Sequence, residues 1–216
     1  LKGNSKNEGF MMLPKPTFER LKLYHRLLLD VEGEYVSSET IAKLLRIQPE
    51  QVRKDLSYLK TMGKPKVGYK VEELKKELDE LFGIKRETAV VIVGAGRLGS
   101  ALANYQGFAK FGIEIVAIFD NDPEKIGQFV SNLMVLPLKD LNRVVRRFNV
   151  EIGVICVPKE SAQEVANLLV ACGIKGIWNF APIELEVPED VLVVNEDITQ
   201  SLLTLKHLLN RRRNKN

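Results

Sequence analysis

The hexapeptide Gly94-Ala95-Gly96-Arg97-Leu98-Gly99 constrains this chain more than any other stretch. It follows the apolar β-branched run AVVIV directly and opens a helical pattern, the strand-turn-helix context in which a GxGxxG has physical meaning. In that context the first glycine permits a tight turn and the second lets a pyrophosphate approach backbone amides at the helix N-terminus. The third lets the helix pack closely on the strand. A second apolar run, IEIVAIFD, ends in Asp120, 21 residues beyond Gly99. An acidic side chain there accepts hydrogen bonds from an adenosine ribose and repels a 2′-phosphate, so NAD(H) is expected over NADP(H).

From Thr88 onward this unit is repeated in outline. AVVIVG, IEIVAIFD, EIGVICVP, IKGIWNFAP and VLVVNED alternate with the helix-like SALANYQGFAKF, LKDLNRVVRRF and KESAQEVANLLVACG. Apolar strands joined by helical crossovers predict an α/β fold with a doubly wound parallel sheet covered on both faces. Cys156 and Cys172 lie far apart among Val, Ile, Leu and Ala, so buried free thiols are expected rather than a disulfide or a CxxC redox pair.

The first third of the chain reads differently. Residues 1–70 hold 14 Lys and Arg against 8 Asp and Glu, whereas residues 71–216 hold 18 against 20. A basic module joined to a slightly acidic one places any polyanion partner at the N-terminal end. Residues 1–16, with Gly3, Gly9, Pro14 and Pro16, are expected to form a flexible arm. A first helix is predicted over 17–30, with Thr17 as N-cap and Phe18, Leu21, Leu23, Leu27 and Leu28 facing inward. Ser37 and Ser38 offer an N-cap to a short second helix with Ile41, Leu44 and Leu45 on its apolar face. Pro49 then opens a third, in which Val52, Leu56 and Leu59 recur at i, i+4 and i+7.

Two short helices and a tight turn match the helix-turn-helix outline. Anchoring Val52, Leu56 and Leu59 inward turns Glu50, Arg53, Lys54 and Ser57 outward, with Gln51 and Tyr58 on the flank. The basic stretch MGKPKVGYKV, carrying Lys64 and Lys66, reads as a wing. An amphipathic helix over 71–82 ends at Gly83 and closes this winged-helix domain, taken as 17–83, ahead of a Rossmann domain over 84–196.

Hydride-transfer chemistry needs a positioned acid or base and room for a second substrate. His25 falls in the basic module and His207 in the last helix, both expected at a surface or interface, and Tyr105 and Lys110 lack YxxxK spacing. A non-enzymatic ligand sensor is therefore expected, with an NAD-dependent oxidoreductase or a constitutive repressor as alternatives. No 18-residue apolar span and no signal core is present in the sequence, so a cytoplasmic location without membrane contact is expected.

The stretches VSSETIAKLL, QVRKDLSY, VGAGRLGSALANYQGF, IFDNDPEKIG and VPKESAQEVANLLVACGIKGIWNFAP resemble the Rex family of redox-sensing transcriptional repressors over residues 14–209. The resemblance implies a homodimer that binds an AT-rich inverted repeat of double-stranded operator DNA when free or holding NAD⁺, and releases it when NADH binds. By similarity Gln51, Arg53, Lys54 and Ser57 contact DNA. The 94–99 loop and Asp120 hold the dinucleotide, and Val157 and Pro158 lie near the nicotinamide. Tyr105 and Asp197, with Arg20, couple cofactor state to the DNA-binding module.

The segment ITQSLLTLKHLL carries leucines on more than one side, and the family implies that this helix, within 197–216, is exchanged between protomers; intramolecular packing is the alternative. The wing departs from the family pattern. An Arg-Gly-x-Gly-Tyr segment is usual there, and this chain has Pro65-Lys66-Val67-Gly68-Tyr69, so lysines replace a guanidinium suited to narrow A-tract grooves. Asn195, Glu196 and Ile198 around Asp197 also differ.

Overall fold

The computed structural model describes residues 13–213. The chain divides into two compact units, one ending at Arg86 and one starting at Glu87.

In the first unit the order is α1 (Lys15–Leu28), β1 (Tyr35–Val36), α2 (Ser38–Leu45), α3 (Pro49–Leu56), β2 (Tyr69–Lys70) and α4 (Val71–Leu81). Leu21, Tyr24 and Leu28 from α1 meet Ile41 and Ala42 from α2, Val52 and Leu56 from α3, and Leu74 and Leu78 from α4 in one core. Ser37 caps α2 by accepting the Thr40 N–H at 3.0 Å. Pro49 stands in the first turn of α3, where its missing N–H costs nothing. Antiparallel β1 and β2 pair Tyr35 with Lys70 and Val36 with Tyr69, and the wing closes through reciprocal backbone bonds between Lys64 and Gly68. Gly68 sits at φ +107°, and a Cβ on it would lie 2.3 Å from the Val36 carbonyl oxygen, so only glycine fits there.

Several expectations are corrected in this unit. The first helix starts at Lys15, inside the stretch expected as an arm; residues 1–12 of that arm lie outside the described residues. Pro14 precedes α1 as its N-cap, and Thr17 is a buried first-turn residue bonded to Asp55 instead of a cap. Leu23 and Leu44 are exposed, while Tyr24 and Ala42 take the inward positions. His25 is buried rather than superficial: its Nε2 is 2.7 Å from Asp79 Oδ1 and its ring meets Phe82 edge-on.

The second unit runs β3 (Thr88–Val93), α5 (Arg97–Ala103), a 3-10 segment (Gln106–Phe111), β4 (Ile113–Asp120), β5 (Phe129–Val130), β6 (Leu133–Pro137) and α6 (Leu141–Phe148). It continues with β7 (Ile152–Ile155), α7 (Lys159–Ala171), β8 (Gly176–Asn179), β9 (Leu192–Asn195) and α8 (Thr199–Arg213). The sheet order is β5-β6-β4-β3-β7-β8-β9. From β3 the chain winds outward first through β4 and β6, then returns to β7 on the other side, which is the doubly wound arrangement. Strand β5 pairs antiparallel with β6, so the sheet is parallel except at that edge, and neither of these two strands was among the five runs expected from the sequence.

Alternation along the strands feeds two cores. Val91, Val93, Ala117, Phe119 and Ile155 face α6 and α7, whereas Val90, Ile92, Ile118 and Val154 face α5 together with Trp178 and Phe180. Cys156 and Cys172 are free and half-buried, less deeply placed than expected. Among the described residues no helix is long and apolar enough to cross a membrane, and no group of His, Cys, Asp or Glu is arranged to hold a metal ion.

Candidate functional site

Strands β3 and β7 are neighbours from which the chain departs in opposite directions, so a crevice opens beyond their C-terminal ends. It has a volume of about 580 Å³ and is lined by Gly94, Gly96, Arg97, Leu98, Asp120, Val157 and Pro158. Of the expected cofactor residues, Ala95 and Gly99 are not among those that line it. Gly94 adopts φ +107°, and a Cβ on it would lie 2.4 Å from the Cys156 carbonyl oxygen, so the turn is pressed against β7. A Cβ on Gly96 meets nothing within 4 Å. Gly96 is the N-cap of α5, no side chain caps that end and its first turn holds no acid, so backbone amides there remain available to an anion.

Asp120 does more than the sequence predicts. Its Oδ2 accepts the Ala95 N–H at 2.8 Å and the Lys125 Nζ at 3.1 Å, and its Oδ1 accepts the Asp122 N–H at 2.9 Å. The carboxylate thus braces the glycine turn and retains acceptor capacity for a ribose hydroxyl. Burial pushes its pKa up, yet the bonds from Asp122, Ala95 and Lys125 outweigh burial and hold it below the ordinary carboxylate value. Sequence reasoning missed Asn121, Asp122, Lys125, Leu138, Ser161 and Val165 in the lining; the Asp-Asn-Asp-x-x-Lys run beginning at Asp120 was the available signal. Cys156 also lines the crevice, and burial pushes its thiol up to about 12, which leaves it protonated and unreactive near neutrality.

In the first unit Arg53, Lys54 and Ser57 are exposed on α3 and its C-cap, as expected. Arg53 donates from Nη1 to Ser38 Oγ at 3.0 Å and Glu39 Oε1 at 2.9 Å, and from Nη2 to Glu50 Oε1 at 2.9 Å. Ion pairs this exposed are screened by water and contribute little, so a phosphate or base edge can compete for the guanidinium. Ser57 Oγ donates to the Lys54 carbonyl at 2.7 Å. Lys64 donates to the Tyr35 hydroxyl at 3.0 Å and lies 5.1 Å from that ring's centre, whereas Lys66 occupies the wing tip at φ +61°.

Gln51 is half-buried and donates its Nε2 to Asp55 Oδ1 at 2.9 Å. Asp55, which sequence reasoning did not single out, is fully buried and also accepts from Thr17, Arg20 and Tyr24. The expected coupling residues have separate partners. Arg20 forks onto Asp55, and Tyr105 packs edge-on against Phe108 at 4.9 Å. Asp197 caps the start of α8 by accepting the Thr199 N–H at 2.8 Å and hydroxyl at 2.7 Å, bonds that lower its pKa.

Known proteins match both units. The family model described as a CoA binding domain covers residues 85–183, and the one described as a putative DNA-binding protein N-terminus covers 12–57. The redox-sensing transcriptional repressor Rex 2 of Thermotoga maritima is 51% identical over 197 residues, 91% of this chain and 96% of that protein. A crystal structure of RSP in complex with β-NAD⁺ and operator DNA superposes with a TM-score of 0.86 at 35% identity, covering 94% of each chain. Its counterpart with β-NADH gives 0.84 at 35% identity, covering 94% of this chain and 96% of that one. A glycine-turn crevice in a doubly wound sheet, a helix-turn-helix with a wing, and end-to-end similarity of this extent place the chain in the Rex family of redox-sensing transcriptional repressors.

Proposed function

We propose that the chain is a homodimeric repressor that binds operator DNA when free or NAD⁺-bound and releases it when NADH occupies the crevice behind Gly94. The observation that carries this reading is the end-to-end likeness to one repressor solved with NAD⁺ and operator DNA and again with NADH. The crevice residues Gly94, Gly96, Arg97, Leu98 and Asp120 take the pyrophosphate and adenosine half, with Val157 and Pro158 toward the nicotinamide. Arg53, Lys54, Ser57 and Lys66 meet the duplex, an AT-rich inverted repeat whose half-sites lie one helical turn or a multiple apart. Helix α8, which buries none of its own residues, supplies the dimer contact by crossing to the second copy.

In this mechanism the two cofactor forms stabilise different spacings of the paired α3 helices, with Arg20, Tyr105 and Asp197 carrying the difference. The cofactor is read, not consumed. Linkage then requires operator DNA to weaken NADH binding by the same factor as NADH weakens DNA binding, roughly 5- to 150-fold. Fluorescence anisotropy of an inverted-repeat duplex, titrated at fixed salt with NAD⁺ and with NADH, tests this; equal affinities would leave a constitutive repressor. Cofactor turnover with candidate hydroxy or amino substrates is expected to be absent.

A further inference from the structure

Asp55 lies on the inner side of α3 with no exposure to solvent, four residues after Gln51. Its Oδ1 accepts Gln51 Nε2 at 2.9 Å, Arg20 Nη2 at 2.7 Å and the Thr17 hydroxyl at 3.2 Å. Its Oδ2 accepts Arg20 Nε at 2.5 Å and the Tyr24 hydroxyl at 2.6 Å. A carboxylate out of water needs such donors, because an unpaired buried charge is strongly unfavourable. Arg20 supplies the cation and sits at the edge of the cluster, its side chain a quarter exposed.

We infer that Asp55 is a positioning residue for DNA recognition, holding the Gln51 amide from within and making its orientation depend on Arg20. This rests on the reading above that α3 meets the duplex. The amide orientation follows from charge: an amide oxygen turned toward an ionised carboxylate repels it, so Nε2 faces Asp55 and Oε1 is turned away from it. Reading adenine in the bidentate manner uses both atoms of a glutamine amide. Held by Asp55 through one Nε2 hydrogen, Gln51 keeps Oε1 and its second Nε2 hydrogen for a base edge, the acceptor-and-donor pair that matches adenine N6 and N7. When Arg20 is removed, burial favours the neutral acid, which no longer requires the Gln51 amide hydrogen, so the half-buried Gln51 is released to rearrange. The relay Arg20–Asp55–Gln51 thereby links a partly exposed α1 guanidinium with an amide on the helix read as meeting the duplex.

The test uses the full chain carrying Arg20→Gln, Gln51→Met, both together, and Arg20→Lys. The Gln51 side-chain amide protons, followed by nuclear magnetic resonance without DNA, are expected to exchange slowly in the parent and quickly in Arg20→Gln, with Arg20→Lys largely restoring protection. Affinities for an inverted-repeat duplex selected by the parent from a random pool form a double-mutant cycle. The double variant is expected to lose less than the product of the single losses by roughly fivefold or more. Losses that multiply, or a Gln51 amide still protected in Arg20→Gln, overturn the relay. Arg20 and Gln51 are both partly exposed, so the cycle does not depend on replacing the buried Asp55. If the parent selects no duplex, the DNA-binding reading fails, and the amide measurement still decides whether Arg20 governs Gln51.

Discussion

Gly99 in α5 approaches Gly94 so closely that a Cβ built on it would stand 1.9 Å from the Gly94 carbonyl oxygen. The third glycine of the motif is thus a packing requirement inside the protein, while the second, Gly96, opens onto empty space within the crevice. The two are separable by experiment. Gly99→Ala must push helix from strand and is expected to cost roughly 3 kcal/mol of stability, together with dinucleotide binding. Gly96→Ala is expected to keep its melting temperature within a few degrees and to weaken NADH at least about tenfold, because the methyl occupies ground a phosphate needs. Calorimetric melts and NADH titrations of both variants check the contrast; equal loss of stability would contradict it.

Acid should act on the second unit through Asp120. Its folded pKa lies below the unfolded value of 3.8, so the stabilisation it provides is complete above 3.8 and is lost as pH falls through the lower folded value. Trp178, the chain's single tryptophan, packs at 4.5 Å against Phe180 in this unit and reports it by fluorescence. Asp120→Asn is expected to be less stable at neutral pH, since an amide cannot replace both the Lys125 pairing and the bracing of Ala95, and to show a flatter acid profile. A profile as steep as the parent's would exclude Asp120 as the source.

The wing makes a prediction about lysines that look equivalent in sequence. Lys64 is held by Tyr35, and this contact raises its pKa, whereas Lys66 stands at the turn's tip. Lys66→Ala should weaken DNA of any sequence and reduce the salt slope of binding by about one. Lys66→Arg should strengthen binding to A-tract half-sites, since a guanidinium is more readily desolvated in a narrow groove. Gly68→Ala, which would meet the Val36 carbonyl, should remove the wing's contribution altogether. Anisotropy at several salt concentrations distinguishes these; a Lys66→Ala slope equal to the parent's would take the tip away from the phosphates.

The glycine turn and the division of α3 into an inner and an outer face were legible because each imposes a local pattern: apolar strand then glycines, or i, i+4, i+7 spacing around Val52 and Leu56. What escaped was set by partners remote in sequence. Asp55 looks like a solvent-facing acid until Arg20 and Tyr24 arrive from α1, more than thirty residues earlier. His25 is buried because Asp79 and Phe82, some fifty residues on, receive it. Strands β5 and β6 were missed because Phe129–Val130 is two residues long and Leu133–Pro137 ends in a proline, giving no periodicity to detect. Leu23 and Leu44 lie outward although their spacing fits a helix face, since Tyr24 and Ala42 match the room available against neighbouring helices.

Helix α8 leaves a leucine-rich surface uncovered. Leu202, Leu203, Leu205, Leu208 and Leu209 are each about half to two-thirds exposed along a helix that also ends in Arg211, Arg212 and Arg213. Leaving so many large apolar side chains in water is unfavourable by about 1 kcal/mol or more apiece, whereas covering them in a dimer recovers that term. Removing the chain from Ile198 onward is therefore expected to give monomers that keep the Trp178 signal and bind NADH within a few-fold of the parent, since no crevice residue lies in α8. Affinity for an inverted repeat should drop at least about a hundredfold, because two linked half-site contacts become independent ones. Sedimentation equilibrium on the truncated chain decides it: a dimer of unchanged stability would show that the leucines of α8 serve another contact, and the spacing mechanism for paired α3 helices would need a different hinge.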